Sequence, residues 1–430
     1  SRRTMTDVDE LMFGVSTDSV AGNTRSDERT SSRAMCSMAF SLQWHSTHAR
    51  HTDQRVARKL NLWRDILPFE LEPELMDKPA GHTARHDYAP GELIVPHQSE
   101  LCFNLGQRAF HRHLRKHLSV EPRAGRFYPR GFIGGSKGID ADEVAPFRIG
   151  RTTGDMITCD LNNPLADTAL ALSAQILDVW SVPDERQRHC NDVAEMVTAH
   201  GPGMQARWHG EPTDFWQDHP FERIVDEPDS AFYAKPRMVS HVDSTASAQI
   251  GKLYRRLLPR GGRVLDLMAS WESHLPADHG LGEIVGLGLN EEELNANRLF
   301  GDHLVHDLNR EPRLPFDDAS FDAVICSLSV EYLTQPFEAF AEVARVLRPG
   351  GRFIITFSNR WFPPKVIRTW EQLHEFERLG LVLEYFLRDG LYEALETWSV
   401  RGLPRPALDK YASRLAESDP VYAVWGQRSA

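Results

Sequence analysis

Short apolar runs and segments of helical periodicity alternate along the carboxyl-terminal half of this 430-residue chain. The runs predict buried strands, and the segments between them, where apolar residues recur every three or four positions, predict helices. We expect strands over 263–267, 283–289, 304–308, 321–327 and 352–357, and helices over 239–258, 291–300 and 336–347. Strands that alternate with helices indicate βαβ units, so residues 231–430 should form an α/β domain with a predominantly parallel sheet.

The first 54 residues show neither pattern. Residues 1–54 are rich in Ser, Thr, Arg and Asp and contain no strand-like run, which predicts a poorly ordered leader. A transit peptide is the alternative for such a composition. However, Asp7, Asp9 and Glu28 argue against it, because transit peptides are poor in acids.

Residues 55–180 contain short runs that prolines and glycines separate. Three of these runs have strand character: 147–149, 156–159 and 170–179. Near-alternation of apolar and polar residues in the last run is typical of a half-buried strand. We therefore expect a small β-rich (α+β) domain here, followed by a connector over 181–230 that includes a helix around 186–199.

Charge and cysteine content restrict the function. The chain has 49 Lys and Arg against 61 Asp and Glu, a formal net charge of -12, and it has no long basic run. A chain this acidic is a poor general binder of nucleic acid or anionic membrane, so neither is expected as a partner. No apolar stretch reaches the length of about 18 residues that spans a bilayer. Five scattered cysteines fit a reduced cytosol better than a disulfide scaffold, which predicts a cytoplasmic protein.

A motif inside the β-rich region resembles a known family. Asp160–Ala166 has the sequence DLNNPLA and precedes an alternating run, an arrangement similar to the last strands of FKBP-type prolyl isomerases of the bacterial SlyD kind. Residues 67–81 are similar to that family's helix and turn. The resemblance implies an FKBP-like fold over about 60–180. The family's histidine is Asn163 here and its last glycine is Asp167, and these departures argue against isomerase activity.

Two motifs at a matched spacing resemble the class I methyltransferases that use S-adenosylmethionine. Pro315–Val324 has the sequence PFDDASFDAV, and Arg345–Gly351, one helix later, has the sequence RVLRPGG. The resemblance covers about 230–430. It implies a Rossmann-like domain, S-adenosylmethionine as the cofactor and a small-molecule methyl acceptor as the partner. In such a domain, ligands bind at the carboxyl ends of the parallel strands.

The loop after the first predicted strand departs from the family pattern. Asp266 is kept, but Met268 and Ser270 stand where the family has glycines that let the backbone approach the cofactor. The domain is then either a pseudo-enzyme or a variant that seats the methionine part of the cofactor with side chains. We favour the variant, in which Trp271 faces the sulfonium as a cation–π partner and Ser270 and Ser273 bind the amino-acid part.

The resemblance implies further cofactor contacts. The family ends its second strand with an acid that binds the ribose, but that position is Gly288, so Asn290 is the nearest replacement. Asn290 is equally suited to cap the helix that follows it. Asp307 matches the position that accepts a hydrogen bond from the adenine amino group, and Leu308 supplies a backbone amide there. Ser327, at the end of the fourth strand, is a further candidate for cofactor binding.

The acceptor side lacks the motifs of several substrate classes. Neither an Asn/Asp-Pro-Pro-Tyr/Phe motif nor a Pro-Cys pair follows the fourth strand, which disfavours amide, adenine and cytosine acceptors. A thiolate needs only deprotonation and a dry pocket, so a small thiol or sulfide is the first expectation and a small phenol the close alternative. The catalytic candidates for assisting proton loss are His274, His241 and Tyr332. The candidates for substrate contact are Tyr233, Arg237 and Ser329.

No metal is expected. The segment 111–117 carries three histidines, but no acid or cysteine at ligand spacing completes a set, so a solvated surface segment is favoured. Other functions stay open for the β-rich domain. It would recruit a peptide in a protein methyltransferase, or bind polypeptide as a chaperone beside an inert methyltransferase domain. In the small-molecule enzyme it would shape the acceptor pocket or mediate the contacts of a homodimer.

Overall fold

The computed structural model describes residues 28–111, 113–115, 118–181, 190–216 and 219–430. Its strands are β1 (Ala34–His45), β2 (Ala49–Asn61), β3 (Thr83–Tyr88), β4 (Cys102–Gly106), β5 (His113–Arg115), β6 (Leu118–Ser119), β7 (Phe127–Pro129), β8 (Pro146–Thr153), β9 (Met156–Asp160), β10 (Leu170–Ser181), β11 (Val264–Ala269), β12 (Ile284–Gly288), β13 (Asp302–Val305), β14 (Phe321–Ser327), β15 (Leu347–Phe357), β16 (Tyr392–Arg401) and β17 (Val421–Arg428). Its helices are α1 (Glu72–Leu75), α2 (Val193–Thr198), α3 (Asp229–Phe232), α4 (Ser244–Leu257), α5 (Glu291–Ala296), α6 (Pro336–Val346), α7 (Arg368–Glu371) and α8 (Glu375–Leu387). Within the described ranges, none of the helices has the length and apolar character needed to cross a membrane.

An eleven-stranded sheet has the order β13-β12-β11-β14-β15-β17-β16-β2-β1-β10-β3. The strands from β13 to β15 are parallel to one another and have the 3-2-1-4-5 order of a doubly wound fold. They overlap all five strands predicted for this half. The Rossmann-like α/β prediction is therefore confirmed. The whole sheet is mixed rather than predominantly parallel, because β17 and the strands beyond β2 pair antiparallel.

Helix α4 shows how the sequence buries one face of this sheet. Asp243 caps its first turn by accepting a hydrogen bond from the Ala246 N–H (3.0 Å). Ile250, Leu253 and Leu257 recur at helical spacing and pack with apolar residues of β11, β14 and β15. Helices α6 and α8 belong to a second apolar cluster on the opposite face. The parallel strands are thus buried on both faces, and their carboxyl ends are left to form a site.

The prediction of a poorly ordered leader is wrong for the residues that the structure describes. β1 and the first part of β2 lie within 28–54, and nearly every residue of β1 is buried. β1 lies between β2 and β10 inside the sheet. Residues 1–27 of the predicted leader lie outside the described residues.

The pairing of β2 with β16 explains the polar composition that suggested a leader. The two strands are parallel, with Asp53 opposite Ser399. The Asp53 carboxylate accepts hydrogen bonds from the Ser399 hydroxyl (2.8 Å) and from Arg401 (3.0 Å). His51 shares a hydrogen bond of 2.8 Å with the Thr397 hydroxyl. Buried polar side chains of the two strands therefore satisfy one another, and we call this contact the β2–β16 seam.

The predicted boundary between residues 54 and 55 falls inside β2, so the large sheet is continuous across it. The three strand-like runs of 55–180 become β8, β9 and β10. β8 and β9 belong to a smaller sheet of order β4-β9-β8-β7, whereas β10 belongs to the large sheet. Within the described segment 67–81, α1 is the helical part. The FKBP-like fold stays a prediction.

The connector predicted over 181–230 contains helix α2, which is shorter than the expected helix over 186–199. Residues 182–189 lie outside the described residues. The smaller sheet has its own apolar cluster and contacts the carboxyl-terminal half at α8. There the Phe127 N–H donates to Glu377 Oε1 (2.8 Å), and Arg126 lies 3.6 Å from the same oxygen.

Candidate cofactor and acceptor site

A cavity lies at the carboxyl ends of β11, β12, β13 and β14, the edge where a doubly wound sheet binds its ligands. The centre of a water-sized sphere can reach about 90 Å³ of it, and the empty space rises to about 800 Å³ when the solvent-open mouth is included. Ten of the residues predicted from the sequence line it: Tyr233, Arg237, His241, Met268, Ser270, Asn290, Asp307, Leu308, Ser329 and Tyr332. Residues separated by up to 99 positions in the chain therefore meet in one place.

The carboxyl end of β11 keeps a glycine-like backbone conformation without glycine. Met268, at the first glycine position of the family motif, has φ of 56°, in the left-handed region that favours glycine. Leu328, on the loop after β14, has φ of 53° and lines the same cavity. Each such residue costs about 1–3 kcal/mol, and strained residues of this kind gather at functional sites.

The same end of β11 explains why the ribose-binding acid is missing from β12. A Cβ added at Gly288 would lie 2.2 Å from the carbonyl oxygen of Ala269. No side chain fits there, because Ala269 at the end of β11 is paired with Gly288 after a register shift at Met268.

Asn290 uses its whole side chain amide within the protein. Its Oδ1 accepts a hydrogen bond from the Glu293 N–H (3.0 Å), which confirms the helix-capping prediction. Its Nδ2 donates to the carbonyl oxygens of Tyr233 (2.9 Å) and Ala234 (3.2 Å). Asn290 thus ties the segment before α4 to the start of α5, across the mouth of the cavity.

Asp307 lies where the predicted adenine contact requires it, after β13 at the cavity wall. Its Oδ1 accepts hydrogen bonds from the Asn309 N–H (3.1 Å) and the Arg310 N–H (3.3 Å). This arrangement is the local turn that aspartate favours. The carboxylate is therefore held in a fixed orientation beside the cavity.

Five polar or aromatic lining residues were not predicted as site residues: Asp229, Glu293, His306, Asn309 and Phe362. Glu293 comes from the first turn of α5, and its carboxylate accepts hydrogen bonds from the Ser270 hydroxyl (2.7 Å) and the Arg237 N–H (2.7 Å). The sequence carried no motif for it, because the three segments meet only in the folded chain.

Asp229 is the centre of a buried ionic cluster beneath the cavity. Its carboxylate lies 2.8 Å from Arg223 and 2.9 Å from Lys365, and accepts a hydrogen bond from Asn309 (2.8 Å). Burial opposes its ionisation, but the hydrogen bonds from Arg223, Asn309 and Lys365 outweigh burial and lower the pKa of Asp229. The same Asn309 amide donates to the Tyr332 carbonyl (2.9 Å), so the cluster positions the acceptor side.

Aromatic rings surround one cation at the outer part of the cavity. The Arg237 guanidinium lies 4.6 Å from the ring centroid of Phe232, 5.6 Å from that of Tyr233 and 5.3 Å from that of Phe362. The Phe362 N–H donates to the hydroxyl oxygen of Tyr332 (2.8 Å). These contacts leave a positive charge between flat apolar walls.

His241 and Tyr332 differ in their proton chemistry. Burial lowers the pKa of His241, so its imidazole is neutral at pH 7 and able to accept a proton. Burial and the neighbouring Glu331 raise the pKa of Tyr332 well above its ordinary value, so its hydroxyl stays protonated and acts as a donor. Of the three predicted catalytic candidates, His241 is therefore the suitable base.

Three residues predicted for the site lie away from this cavity, in a separate groove beside α4: Trp271, Ser273 and His274. The Trp271 indole N–H donates to the Val239 carbonyl (3.4 Å), so the expected contact with a sulfonium is not formed by this placement. His274 is buried, shares a 2.8 Å hydrogen bond with the Ser247 hydroxyl and lies 3.6 Å from Glu272. His274 therefore lies apart from the cavity at the strand ends, and its catalytic role stays a prediction.

Asp266 and Ser327 are also placed behind the cavity wall. Ser327 shares a hydrogen bond of 2.5 Å with the Tyr254 hydroxyl on α4. Asp266 is buried, and its Oδ2 has no hydrogen-bond partner among the described residues. Burial raises the pKa of Asp266 to about 7, an effect that the Ser273 hydroxyl only partly offsets. Neither residue lines the cavity, and their predicted role in cofactor binding stays a prediction.

Glu331, which follows β14, is a second buried acid of this kind. Its side chain is 1% exposed and its Oε2 has no hydrogen-bond partner in the described part of the chain. Burial raises the pKa of Glu331 to about 8, while Arg378 acts in the opposite direction. Burial therefore raises the pKa of two carboxyl groups beside the site, Asp266 and Glu331, into the neutral range.

The predicted histidine-rich surface segment over 111–117 is described only in part. His111 is exposed. The side chains of 112–118 lie outside the described residues, so the prediction for them stays as it was.

Comparisons with known proteins bear on the same elements. Residues 269–355 match a family model described as a methyltransferase domain. Over 99 residues the chain is 37% identical to a demethylmenaquinone methyltransferase of Clavibacter sepedonicus, a match that covers 22% of this chain and 40% of the relative. Over 151 residues it is 25% identical to a malonyl-acyl-carrier-protein O-methyltransferase of a Marinomonas species, covering 31% of this chain and 55% of the relative. The chain spans about half the length of the curated relatives it matches.

Among solved structures, the chain is similar to an S-adenosylmethionine dependent methyltransferase from Mesorhizobium loti at 21% identity. The match covers 41% of this chain and 96% of that chain, with a TM-score of 0.28. At that score the likeness supports no argument about the site.

Proposed function

We propose that residues 269–355, which match a family model of a methyltransferase domain, are part of a class I methyltransferase domain, and that the protein transfers a methyl group from S-adenosylmethionine to a small hydroxylated aromatic acceptor. The observation that carries this proposal is the cavity at the strand ends, which combines polar groups on its inner side with aromatic walls around a cation on its outer side.

The inner side offers the groups that would hold the cofactor. Asp307 presents an oriented carboxylate for the adenine amino group. Gly288 cannot carry the ribose-binding acid, and Asn290 is engaged with the backbone. We therefore assign the ribose contact to Glu293, whose carboxylate faces the same space from one turn further along α5.

The outer side suits a flat acceptor with an acidic proton. Tyr233, Tyr332 and Phe362 supply aromatic walls, and Arg237 lies among them. When bound, the cofactor supplies the methyl group to an oxygen or ring carbon of the acceptor. His241 takes the proton that the acceptor hydroxyl loses, and the Arg237 charge stabilises the resulting oxyanion. The protonated Tyr332 hydroxyl orients the acceptor by donating a hydrogen bond.

A small thiol, the first expectation from the sequence, is not the leading acceptor in this proposal. The names of the matched relatives indicate a demethylated menaquinone and a malonyl group on acyl-carrier protein, and neither indicates a thiol. No polar group of the cavity is specific for sulfur, whereas aromatic walls and a cation favour a phenolic or quinol ring. Thiols remain a comparison arm of the test.

The first experiment measures binding. Calorimetric titration of the full chain with S-adenosylhomocysteine should give one binding site, and Glu293→Gln should weaken it at least tenfold. Glu338→Gln, which changes an exposed acid on α6, is the matched control and should bind normally. Absence of binding at millimolar ligand would favour an inert domain beside a polypeptide-binding region and would overturn the proposal.

The second experiment screens acceptors with a labelled methyl donor. Phenols and quinols should be methylated faster than sulfide, simple thiols, amines or a proline-containing peptide. His241→Asn should lower kcat by about 10²–10⁴ while cofactor affinity is unchanged. The exposed His45→Asn serves as its control. Methyl label found on polypeptide, or on thiols alone, would contradict the proposed acceptor class.

A further inference from the structure

A cluster of three potential metal ligands lies outside the methyltransferase cavity, on the four-stranded sheet. Cys102 begins β4 and Asp160 ends β9, and these two residues are directly paired in the antiparallel ladder. Side chains of directly paired residues leave the same face of a sheet, with Cβ atoms about 4.5–5.5 Å apart. His97 comes from the segment just before β4. Its Nε2 lies 3.4 Å from Cys102 Sγ and 4.0 Å from Asp160 Oδ2.

We propose that His97, Cys102 and Asp160 bind a zinc ion. All their potential ligand atoms lie within 4.8 Å of one another. Ligands of a tetrahedral zinc ion lie about 2.0–2.3 Å from the metal, so they are about 3.3–3.8 Å apart. The observed separations require only small side-chain movements to reach that geometry. A thiolate, an imidazole and a carboxylate together are a donor set that suits zinc.

The charge of the cluster balances the ion. The Cys102 thiol loses its proton to solvent when the metal binds, so a thiolate and the Asp160 carboxylate together neutralise a divalent cation. The side chain of His97 is 32% exposed, whereas that of Asp160 is 11% exposed. Water therefore reaches the site from the His97 side and can complete the fourth position.

Asn162 holds the proposed ligands in place. Its backbone N–H and its Nδ2 both donate to Asp160 Oδ1 (2.9 Å each), which leaves Oδ2 for the metal. The same side chain accepts from the Gln98 N–H (2.8 Å) and donates to the Gln98 carbonyl (3.0 Å), next to His97. Hydrogen-bonded partners that orient the ligands in this way are typical of metal sites. The ion would fasten the segment before β4 to the end of β9.

The prediction that no metal binds was based on the histidine-rich segment 111–117, which has no acid or cysteine at ligand spacing. The cluster formed here uses none of those residues. His97 and Asp160 are more than 60 positions apart in the chain, so no short sequence motif predicts that they lie together. Only the antiparallel pairing of β4 with β9 brings them together.

Metal titration of the tag-free full chain tests this proposal. After chelator treatment, the protein should bind one equivalent of Co²⁺ with a thiolate-to-cobalt absorption band, and Zn²⁺ should displace the Co²⁺. Cys102→Ser should abolish the band, and His97→Ala or Asp160→Asn should weaken Zn²⁺ binding by at least tenfold. Asn162→Ala should weaken it less, because it removes orientation and no ligand.

The exposed thiol of Cys190 provides the matched control. Cys190→Ser should leave stoichiometry, absorption band and affinity unchanged. Circular dichroism of each variant without metal checks that the sheet is folded. Zn²⁺ should raise the melting temperature of the wild type and of Cys190→Ser, but not of Cys102→Ser. No binding at micromolar Zn²⁺, or equal binding by Cys102→Ser, would show that the three residues form a hydrogen-bonded cluster only.

Discussion

The two halves of the eleven-stranded sheet use polar residues in opposite ways. In the carboxyl-terminal half the parallel strands are apolar, and polar groups gather at their ends around the cavity. In the amino-terminal half, β2 carries polar side chains along its length and pairs them with those of β16. The comparison shows that polar composition predicts exposure only where a segment has no polar partner elsewhere in the chain.

The largest expected effect comes from breaking the β2–β16 seam. Asp53 and Arg401 form a largely buried ion pair, with side chains that are 1% and 14% exposed. Asp53→Ala removes the carboxylate and leaves the Arg401 guanidinium unpaired in that environment. Removing one partner of a buried ion pair costs about 3–5 kcal/mol, so the free energy of unfolding should fall by that amount. Urea denaturation of both proteins measures it.

The seam contains its own control. Arg50 and Glu396 form an ion pair of 2.6 Å on the same two strands, but the Arg50 side chain is 59% exposed. An exposed pair contributes about 0–1 kcal/mol, so Arg50→Ala should change stability little. Equal losses in the two variants would mean that the seam is not a buried polar contact.

In the carboxyl-terminal half of the sheet, the buried carboxyl group of Glu331 should make the stability of the protein depend on pH. Its pKa is raised from 4.5 to about 8 in the folded protein, so the folded chain keeps a proton that the unfolded chain releases. Stability from this group is complete below pH 4.5 and is lost as the pH rises towards 8. The free energy of unfolding of Glu331→Gln, relative to that of the wild type, should therefore rise by about 2–4 kcal/mol between pH 5 and pH 8.

Denaturation curves at pH 5, 6.5 and 8 give this difference directly. Subtracting variant from wild type removes the contribution of buried histidines, whose lowered pKa values act in the opposite direction. Glu338→Gln on the exposed face of α6 should track the wild type at every pH. If the stability of Glu331→Gln and that of the wild type changed equally between pH 5 and pH 8, the carboxyl of Glu331 would be ionised in the folded protein over this range.

Asp307→Ala tests whether Asp307 binds the cofactor or only stabilises the fold. It should weaken S-adenosylhomocysteine binding by about 1–3 kcal/mol, because a donor of the bound ligand loses its acceptor. The loss of stability should be much smaller than for Asp53→Ala. Asp302→Ala, which changes an exposed residue of β13, should leave binding intact. Calorimetry of the three proteins decides whether Asp307 belongs to the cofactor site.

The smallest effect concerns strain at the carboxyl end of β11. Met268→Gly removes a left-handed non-glycine residue, and this gain of about 1 kcal/mol offsets the greater freedom of glycine in the unfolded chain. Its stability should stay within about 0.5 kcal/mol of the wild type. Ala269→Gly has no such gain and should lose about 0.5–1 kcal/mol. A larger loss for Met268→Gly would show that its side chain, not its backbone, shapes this end of the strand.

The parts of the fold that follow local rules were predictable. Apolar runs between helical segments identified β11, β12, β14 and β15, since parallel strands buried on both faces are apolar throughout. Motif positions at the strand ends identified Met268, Asn290 and Asp307 as cavity residues. β2 was missed because it contains His51 and Asp53, whose partners lie more than 340 positions away. β1 is largely apolar, and the polar composition of the segment as a whole concealed it.

The missed site residues have a similar cause. Glu293 sits on an ordinary acidic helix start, and only the path of the loop after β11 makes it a cavity residue. Trp271 and His274 were predicted as site residues from their chemistry, but the chain leaves the cavity after Ser270, and both residues line another groove. The spacing of these residues along the chain does not predict which of them line the cavity and which line the other groove.

The β2–β16 seam also has a consequence for synthesis. The residues that meet there are 346 positions apart, so β2 leaves the ribosome long before β16 exists. At about 5–20 residues per second, its open edge waits for roughly 20–70 s. An apolar edge exposed for that time would invite pairing with other nascent chains. The charged side chains of Asp53 and Arg55 discourage such aggregation until the intended strand arrives.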